Sequence, residues 1–125
     1  MKAEQRVAFF TDSYLEVNGV AHTSRMLAAF ARRRDLPFLC VHAAAAGTRN
    51  HMLMNEGSLQ RLELPRTKIS FKLDADLRFD LLMIRHSRLT LETVRRFNPD
   101  VIHITGPSDI GLLGLYVARK LEIPL

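Results

Sequence analysis

The sequence RVAFFTDSYLEVNGVAHTS (residues 6–24) changes character twice within a short distance. Its first part, RVAFF (residues 6–10), is an apolar run bounded by polar residues, which is typical of a strand covered on both faces. Mostly polar residues follow, and apolar residues then recur at helical spacing between residues 20 and 34, among them Leu27, Phe30 and Ala31. A strand, a polar loop and a helix in this order predict the first unit of an α/β domain.

Two more strands are predicted before the middle of the chain. LPFLCVHA (residues 36–43) is a second apolar run and predicts another buried strand, followed by a loop at residues 47–50. LQRLELP (residues 59–65) alternates apolar and polar residues and ends in proline, which favours a strand on the edge side of a sheet.

The rest of the chain adds helices and a further strand. Residues 77–97 have a helical composition, but Ser87 and Arg88 interrupt the apolar face, which predicts a kink or two helices. The sequence NPD ends this helix, and VIHI (residues 101–104) predicts a fully buried strand. Another helix follows, with Ser108 or Asp109 as its N-cap, and residues 124–125 would begin a further strand.

Alternating strands and helices predict one α/β domain with a Rossmann-like parallel sheet and helices on both faces. The 125 residues suffice for one such domain. In the usual strand order 3-2-1-4, the first and fourth strands are neighbours, and ligands bind at the carboxyl ends of the strands. We therefore expect the loops at residues 11–19 and 105–109 to face one crevice.

Composition excludes several classes of protein. The single cysteine, Cys40, lies in an apolar run, which indicates a buried thiol and excludes a disulfide scaffold or a cysteine zinc site. The start of the chain has no signal peptide, and no apolar run is long enough to span a membrane, so we expect a cytoplasmic location. The net charge of +5 permits anionic partners, but no aromatic residues are interleaved among the arginines, so we expect no nucleic acid partner.

Asn18-Gly19 stands where the first helix begins. A helix N-terminus carries about +0.5 charge and unpaired N–H groups, so it can hold a phosphate without side chains. The alternative is that Asn18 caps the helix and Gly19 relieves a tight turn. No G-x-G-x-x-G and no Walker lysine loop is present, so neither nucleotide fingerprint applies.

Two stretches of the chain carry a family resemblance: FFTDSYLEVNGVAHTS (residues 9–24) and FNPDVIHITGPSDIGLLGLYVARKLEIPL (residues 97–125). Together they resemble the amino-terminal domain of group 1 (family 4-like) retaining glycosyltransferases of the GT-B fold, which act on lipid, polyprenol or saccharide acceptors. The resemblance implies that the glycine at position 19 lends its backbone to the diphosphate of a nucleotide-sugar donor, together with Asn18 and Val20. It implies no metal and no cofactor beyond the nucleotide-sugar substrate.

The resemblance also implies an acceptor and sugar pocket. Asp12 matches a position that reaches this pocket, although a local turn hydrogen bond explains it equally well. His103 matches a recurring histidine of the fourth strand, where a core role is expected from its apolar surroundings. Thr105 stands where some relatives have a second histidine beside the transferred sugar. Gly106, Pro107 and Ser108 would form the crevice wall, with Ser108 capping the next helix or donating to a ligand.

The remaining histidines have no metal-ligand spacing, and we expect them on the surface or in the core. The pattern DAD at residues 74–76 matches the D-x-D of metal-dependent sugar transferases of another fold, and the parallel-sheet pattern argues against that role.

These observations lead to a primary hypothesis and an alternative. The chain is the acceptor-side amino-terminal domain of a glycosyltransferase, lacks the donor-binding carboxyl-terminal domain and is inactive alone. The alternative is a non-catalytic Rossmann-like module that binds a phosphorylated small molecule or a partner protein. The exposed edge of the fourth strand would allow self-association. The arginines between Arg85 and Arg96 would allow peripheral contact with the inner face of a membrane, although a solvated face explains them as well.

Overall fold

The computed structural model describes residues 5–66, 71–72, 78–79 and 81–125. The strands are β1 (Val7–Phe10), β2 (Phe38–Ala43), β3 (Met52–Glu56), β4 (Leu59–Leu64), β5 (Phe71–Lys72), β6 (Arg78–Phe79) and β7 (Val101–Ile104). The helices are α1 (Gly19–Arg33), a 3-10 helix (Leu81–His86), α2 (Ser87–Phe97) and α3 (Asp109–Leu121). The DAD pattern at residues 74–76 lies outside the described residues.

The main sheet has five strands in the order β3-β4-β2-β1-β7. The pairs of β1 with β2, β1 with β7 and β2 with β4 are parallel. The third and fourth predicted strands are β4 and β7, so the predicted order 3-2-1-4 is confirmed. The prediction that residues 59–65 form an edge-side strand is wrong, because β3 pairs antiparallel with β4 on its outer side. The proline that suggested an edge follows the last residue of β4 and leaves its ladder intact.

The sheet has a different apolar layer on each face. Ala8 and Phe10 of β1 contact one layer, in which Val94 of α2 and Leu113 of α3 are also buried. Phe9 points to the opposite face, into a second cluster with Ala28 of α1. Because side chains alternate along a strand, one apolar run serves both layers. The fold is therefore α/β and Rossmann-like, with helices on both faces of a mostly parallel sheet.

Cys40 is fully buried in the middle of β2, as its apolar surroundings predicted. Burial raises the pKa of its thiol to about 12, so the reactive thiolate is not formed near neutral pH. The thiol therefore serves as a small apolar side chain.

The helix predicted at residues 20–34 is confirmed, but its packed face consists of small residues. Ala21, Ser24, Ala28 and Ala31 are buried against the sheet. The larger apolar residues that revealed the helix remain partly outside, and Leu27 and Phe30 are 43% and 44% exposed. Small side chains allow the helix axis to approach the sheet closely, and this places the neighbouring larger residues on the outer flank.

Two helices form within residues 81–97, as the interruption at Ser87 predicted, and α2 ends at Asn98 in the left-handed conformation (φ 55°). The helical region begins later than predicted, because Arg78–Phe79 is a strand. Residues 124–125 do not form the expected strand, although the Pro124 carbonyl accepts a hydrogen bond of 2.9 Å from the Ile102 amide. Within the described ranges, every helix is too short or too polar to cross a membrane.

Candidate functional site

The two loops that the sequence singled out are in contact at the carboxyl edge of the sheet. β1 and β7 are parallel neighbours, with Phe10 paired to Ile104, so the chain leaves both strands at the same edge. The amide of Asp12 donates to Thr105 Oγ1 at 3.1 Å, and the Ser108 hydroxyl donates to the carboxylate of Asp12. Asp12 therefore links the two loops at this edge of the sheet. The alternative of a hydrogen bond within its own turn is wrong, because the carboxylate accepts from Ser108 in the other loop.

The start of α3, here called the closed start (residues 108–111), is occupied by the chain itself. Ser108 is the N-cap, and its Oγ accepts from the Gly111 amide at 3.1 Å. The carboxylate of Asp109 is buried in the first turn and accepts two hydrogen bonds from Arg66, at 2.9 and 3.1 Å. An anion is thus already in place where the helix dipole favours one.

Backbone packing also closes the α3 start. A Cβ on Gly111 would lie 1.8 Å from the carbonyl oxygen of Gly106, which is far inside contact distance. Gly106 in turn lies against the carboxylate of Asp12, which a Cβ at residue 106 would approach to 3.0 Å. Gly111 is therefore required by the packing of backbone against backbone, whereas a side chain at Gly106 would displace only the Asp12 carboxylate.

The start of α1, here called the open start (residues 18–20), differs from the closed start among the described residues: its first turn has no acidic residue and Gly19 has free space around it, while Asn18 Nδ2 donates to Ser13 Oγ at 3.4 Å. Asn18 is the N-cap, and its side-chain oxygen accepts from the Ala21 amide at 2.8 Å, so the capping role is confirmed. No acidic residue lies in the first turn. A Cβ on Gly19 would meet no described atom within 4 Å, and its φ is not in the left-handed region. Neither turn strain nor packing among the described residues accounts for this glycine.

The loop between β1 and α1 is held by side chains that sequence reasoning missed. Arg25 of α1 donates to the carbonyl oxygens of Tyr14 and Glu16, the latter at 3.0 Å. The ring of Tyr14 stacks on His42 at 4.4 Å between centroids, and Arg61 lies over the same ring at 5.1 Å. An arginine about two helical turns after a polar loop was a possible signal, but nothing in the spacing distinguishes it from a surface residue.

His42 is fully buried beneath this loop. Burial lowers the pKa of its imidazole to about 4, so the ring is neutral near pH 7. Nδ1 lies 2.9 Å from the Ala43 carbonyl and therefore carries the proton, which leaves Nε2 to accept from Arg61 at 3.3 Å. Burial is also the main reason that the pKa of Tyr14 is raised. Both rings are neutral supports of the loop.

His103 is exposed, which overturns the prediction of a core histidine in a fully buried strand. Its ring stacks on Phe9 at 5.2 Å between centroids. β7 is at the edge of the sheet, and its neighbour Ile102 points to the buried layer on the opposite face. Within the described part of the chain, α1 covers β2 and β4 on the face of His103 and leaves β7 open. Pro107 is exposed as well, and Thr105 is half-buried.

Away from the two loops, Arg61 forms ion pairs with Glu56 and Glu63. Among residues 5–66 and 81–125, no group of three His, Cys, Asp or Glu side chains is close enough to hold a metal ion. The arginines of the basic segments are on the surface, as a solvated face requires: Arg32, Arg33, Arg34, Arg85, Arg88, Arg95 and Arg96.

Comparison with known proteins identifies a relative for nearly the whole chain. The chain is 30% identical over 122 residues to the alpha-monoglucosyldiacylglycerol synthase of Streptococcus pneumoniae (strain ATCC BAA-255 / R6). The aligned region is 96% of this chain and 25% of that protein, so the chain spans about a quarter of its relative. No protein-family profile matches, and no solved structure matches. The similarity supports a distant relationship to a glycosyltransferase.

Proposed function

We propose that this chain is the acceptor-side amino-terminal domain of a glycosyltransferase and that its open start faces the diphosphate of a nucleotide-sugar. The transferred sugar would go to a lipid, polyprenol or saccharide acceptor with retention of configuration. A second domain would hold the base and ribose of the donor.

The observation that carries the proposal is the contrast between the two helix starts at the same sheet edge. The closed start has its own buried carboxylate, Asp109. The open start has a capping side chain, free space around Gly19 and no acidic residue in its first turn. A helix N-terminus favours an anion, and a glycine there lets the backbone approach it. The similarity to a protein named alpha-monoglucosyldiacylglycerol synthase, a name that includes a glucosyl group, agrees with the diphosphate of a nucleotide-sugar as that anion.

The acceptor pocket is proposed at the neighbouring loop. Asp12, Thr105 and Ser108 are joined there by hydrogen bonds, while His103 and Pro107 are exposed beside them. The hydroxyl of Ser108 already donates to Asp12 and accepts from Gly111. Ser108 is therefore proposed to shape this pocket, and the exposed imidazole of His103 to supply a polar contact to the substrate.

The test uses the full-length protein that contains this chain and a panel of UDP-, GDP- and ADP-sugars with diacylglycerol as the first acceptor. Gly19→Ala and Gly19→Val place a side chain where the structure has space, so folding should be preserved. We expect the KM for the donor to rise about tenfold for alanine and further for valine, because the side chain intrudes on the diphosphate. Thr23→Val, on the exposed side of the same helix, is the control and should leave the KM unchanged.

Three outcomes separate the candidate functions. Transfer that is lost or weakened in the Gly19 variants supports the proposal. Transfer with the same donor KM in all variants would show that the backbone at Gly19 does not contact the donor. A wild-type protein that binds UDP or a sugar phosphate without transferring any sugar would favour the non-catalytic binding module.

A further inference from the structure

In the second half of the loop between β1 and α1, the ring of Tyr14 is packed, and the backbone is held by one side chain, Arg25. Residues 14–17 form no regular secondary structure. Among the described residues, the hydrogen bonds accepted or donated by their backbone are the two from Arg25, to the carbonyls of Tyr14 and Glu16. Val17 is 93% exposed and contributes no packing, and one carboxylate oxygen of Glu16 is buried without a hydrogen-bond partner.

Arg25 is suited to this role by its position and its chemistry. It lies on α1 and is half-buried, so the helix holds the loop that precedes it. A single guanidinium nitrogen, Nη1, serves both carbonyl oxygens. Charge-assisted hydrogen bonds from a planar guanidinium fix direction as well as distance. Arg25 therefore fixes the backbone that precedes Asn18 relative to α1.

The first half of the loop has anchors that do not involve Arg25. Thr11 Oγ1 bonds Ser24 Oγ at 2.8 Å in a buried position. The Tyr14 ring is held between His42 and Arg61. Removal of the Arg25 guanidinium should consequently leave the sheet, the start of the loop and the Tyr14 ring in place, while residues 15–17 lose their defined path.

We propose that Arg25 is a positioning residue for the donor: it holds residues 14–17 so that the amides at Asn18 and Gly19 stay directed at the diphosphate. This inference rests on the proposed function of the open start. Arg25 acts through the loop backbone and not by contact with the donor. Its loss therefore weakens donor binding and leaves the acceptor pocket, which is tied together by Asp12, Thr105 and Ser108, unaffected.

The experiment compares Arg25→Met, Arg25→Lys and Arg33→Met in the full-length protein, with steady-state kinetics in which UDP-glucose and diacylglycerol are varied separately. Methionine keeps the length of the side chain and removes its donors, lysine restores one cationic donor group, and Arg33 is exposed on the same helix. We expect Arg25→Met to raise the donor KM about tenfold at an unchanged acceptor KM, since misplacement of a binding loop costs affinity of this order. Arg25→Lys should recover part of the loss, and Arg33→Met should behave as wild type.

The donor KM separates positioning from a merely structural role. A purely structural defect lowers the fraction of active enzyme, and thus the apparent kcat, without changing the donor KM. An active Arg25→Met protein with the wild-type donor KM, or one in which both KM values rise equally, would overturn the inference. If Arg25→Met does not fold, Arg25→Lys decides by the same criterion. Absence of transfer by the wild-type protein, with this pair of substrates and the wider donor panel, would overturn the proposed function and the role of Arg25 with it.

Discussion

The two helices that begin at the carboxyl edge of the sheet differ in how the partial positive charge of the helix N-terminus is compensated. At α3, the chain places its own carboxylate and packs backbone against backbone, with Asp109 bonded to Arg66 and Gly111 against Gly106. At α1, the chain provides a cap, and none of the described atoms lies within 4 Å of the position of a Cβ on Gly19. A helix start filled from within contributes to the stability of the fold, and one left open is available to a ligand. The glycines show the difference most clearly, since the fold requires Gly111 and does not require Gly19.

The largest effect is expected from removing the cation of the closed start. Arg66→Met removes the two hydrogen bonds that the buried carboxylate of Asp109 accepts from the guanidinium group. Breaking one side of a buried ion pair costs about 3–5 kcal/mol, so urea unfolding should show a loss of this size. Arg32→Met is the control, because its pair with Glu56 is exposed and should contribute less than about 1 kcal/mol. Equal losses in the two variants would contradict the closed character of the α3 start.

Alanine at the two glycines provides the most direct comparison. Gly111→Ala forces a Cβ against a backbone oxygen, and we expect a loss of about 3 kcal/mol in the free energy of unfolding. Gly19→Ala meets open space, and the better helix propensity of alanine should leave stability unchanged or raise it by up to about 1 kcal/mol. Thermal and urea unfolding of both variants measure the difference. A destabilised Gly19→Ala protein would mean that the fold itself requires the glycine.

The support beneath the open start should make stability depend on pH. His42 has a pKa of about 4 in the folded chain and about 6.5 when unfolded, so its neutral form contributes stability that is complete above pH 6.5. Between these values the unfolded state binds more protons, and stability falls as the pH is lowered from 6.5 toward 4. We expect this residue to account for a loss of about 2 kcal/mol between pH 7 and pH 5.

The contribution of His42 is measured by urea unfolding at several pH values. His42→Gln removes the titrating ring, so the loss in the free energy of unfolding between pH 7 and pH 5 should be smaller by about 2 kcal/mol than in the wild type. His22→Gln, on the exposed side of α1, should keep the wild-type profile. A His42→Gln profile parallel to that of the wild type would show that the buried ring does not set the dependence.

The smallest effect is expected at the hydrogen bond between Asp12, in the loop after β1, and Ser108 of the closed start. Asp12→Asn keeps an oxygen for the Ser108 hydroxyl but removes the negative charge, so the charge-assisted bond becomes a neutral one. We expect a loss of about 1 kcal/mol in stability. Asp35→Asn is the control, since this exposed residue has φ of 57°, a conformation that asparagine adopts readily. A loss in Asp35→Asn as large as that in Asp12→Asn would argue against this hydrogen bond.

Some features were predictable because the signal is local. The apolar runs at β1, β2 and β7, the helices between them and the order of the parallel strands follow from apolar spacing and from the handedness of crossovers. β3 was missed because its residues alternate weakly and most are exposed, so it lacks the pattern of a covered strand. The packed face of α1 was not evident because alanine and serine carry little hydrophobic signal, although their size decides how closely the helix approaches the sheet.

The sequence by itself determined the α/β class, the start of a helix at Asn18-Gly19 and the adjacency of the two polar loops. Local spacing and chain topology contain that information. Tertiary structure alone decided which helix start is closed, because the cation of that start, Arg66, lies 43 residues from Asp109 in the chain. It also decided that His103 is exposed and that Arg25 and His42 support the loop, because burial and hydrogen bonding depend on which elements pack together. Residue identity alone does not specify such neighbours.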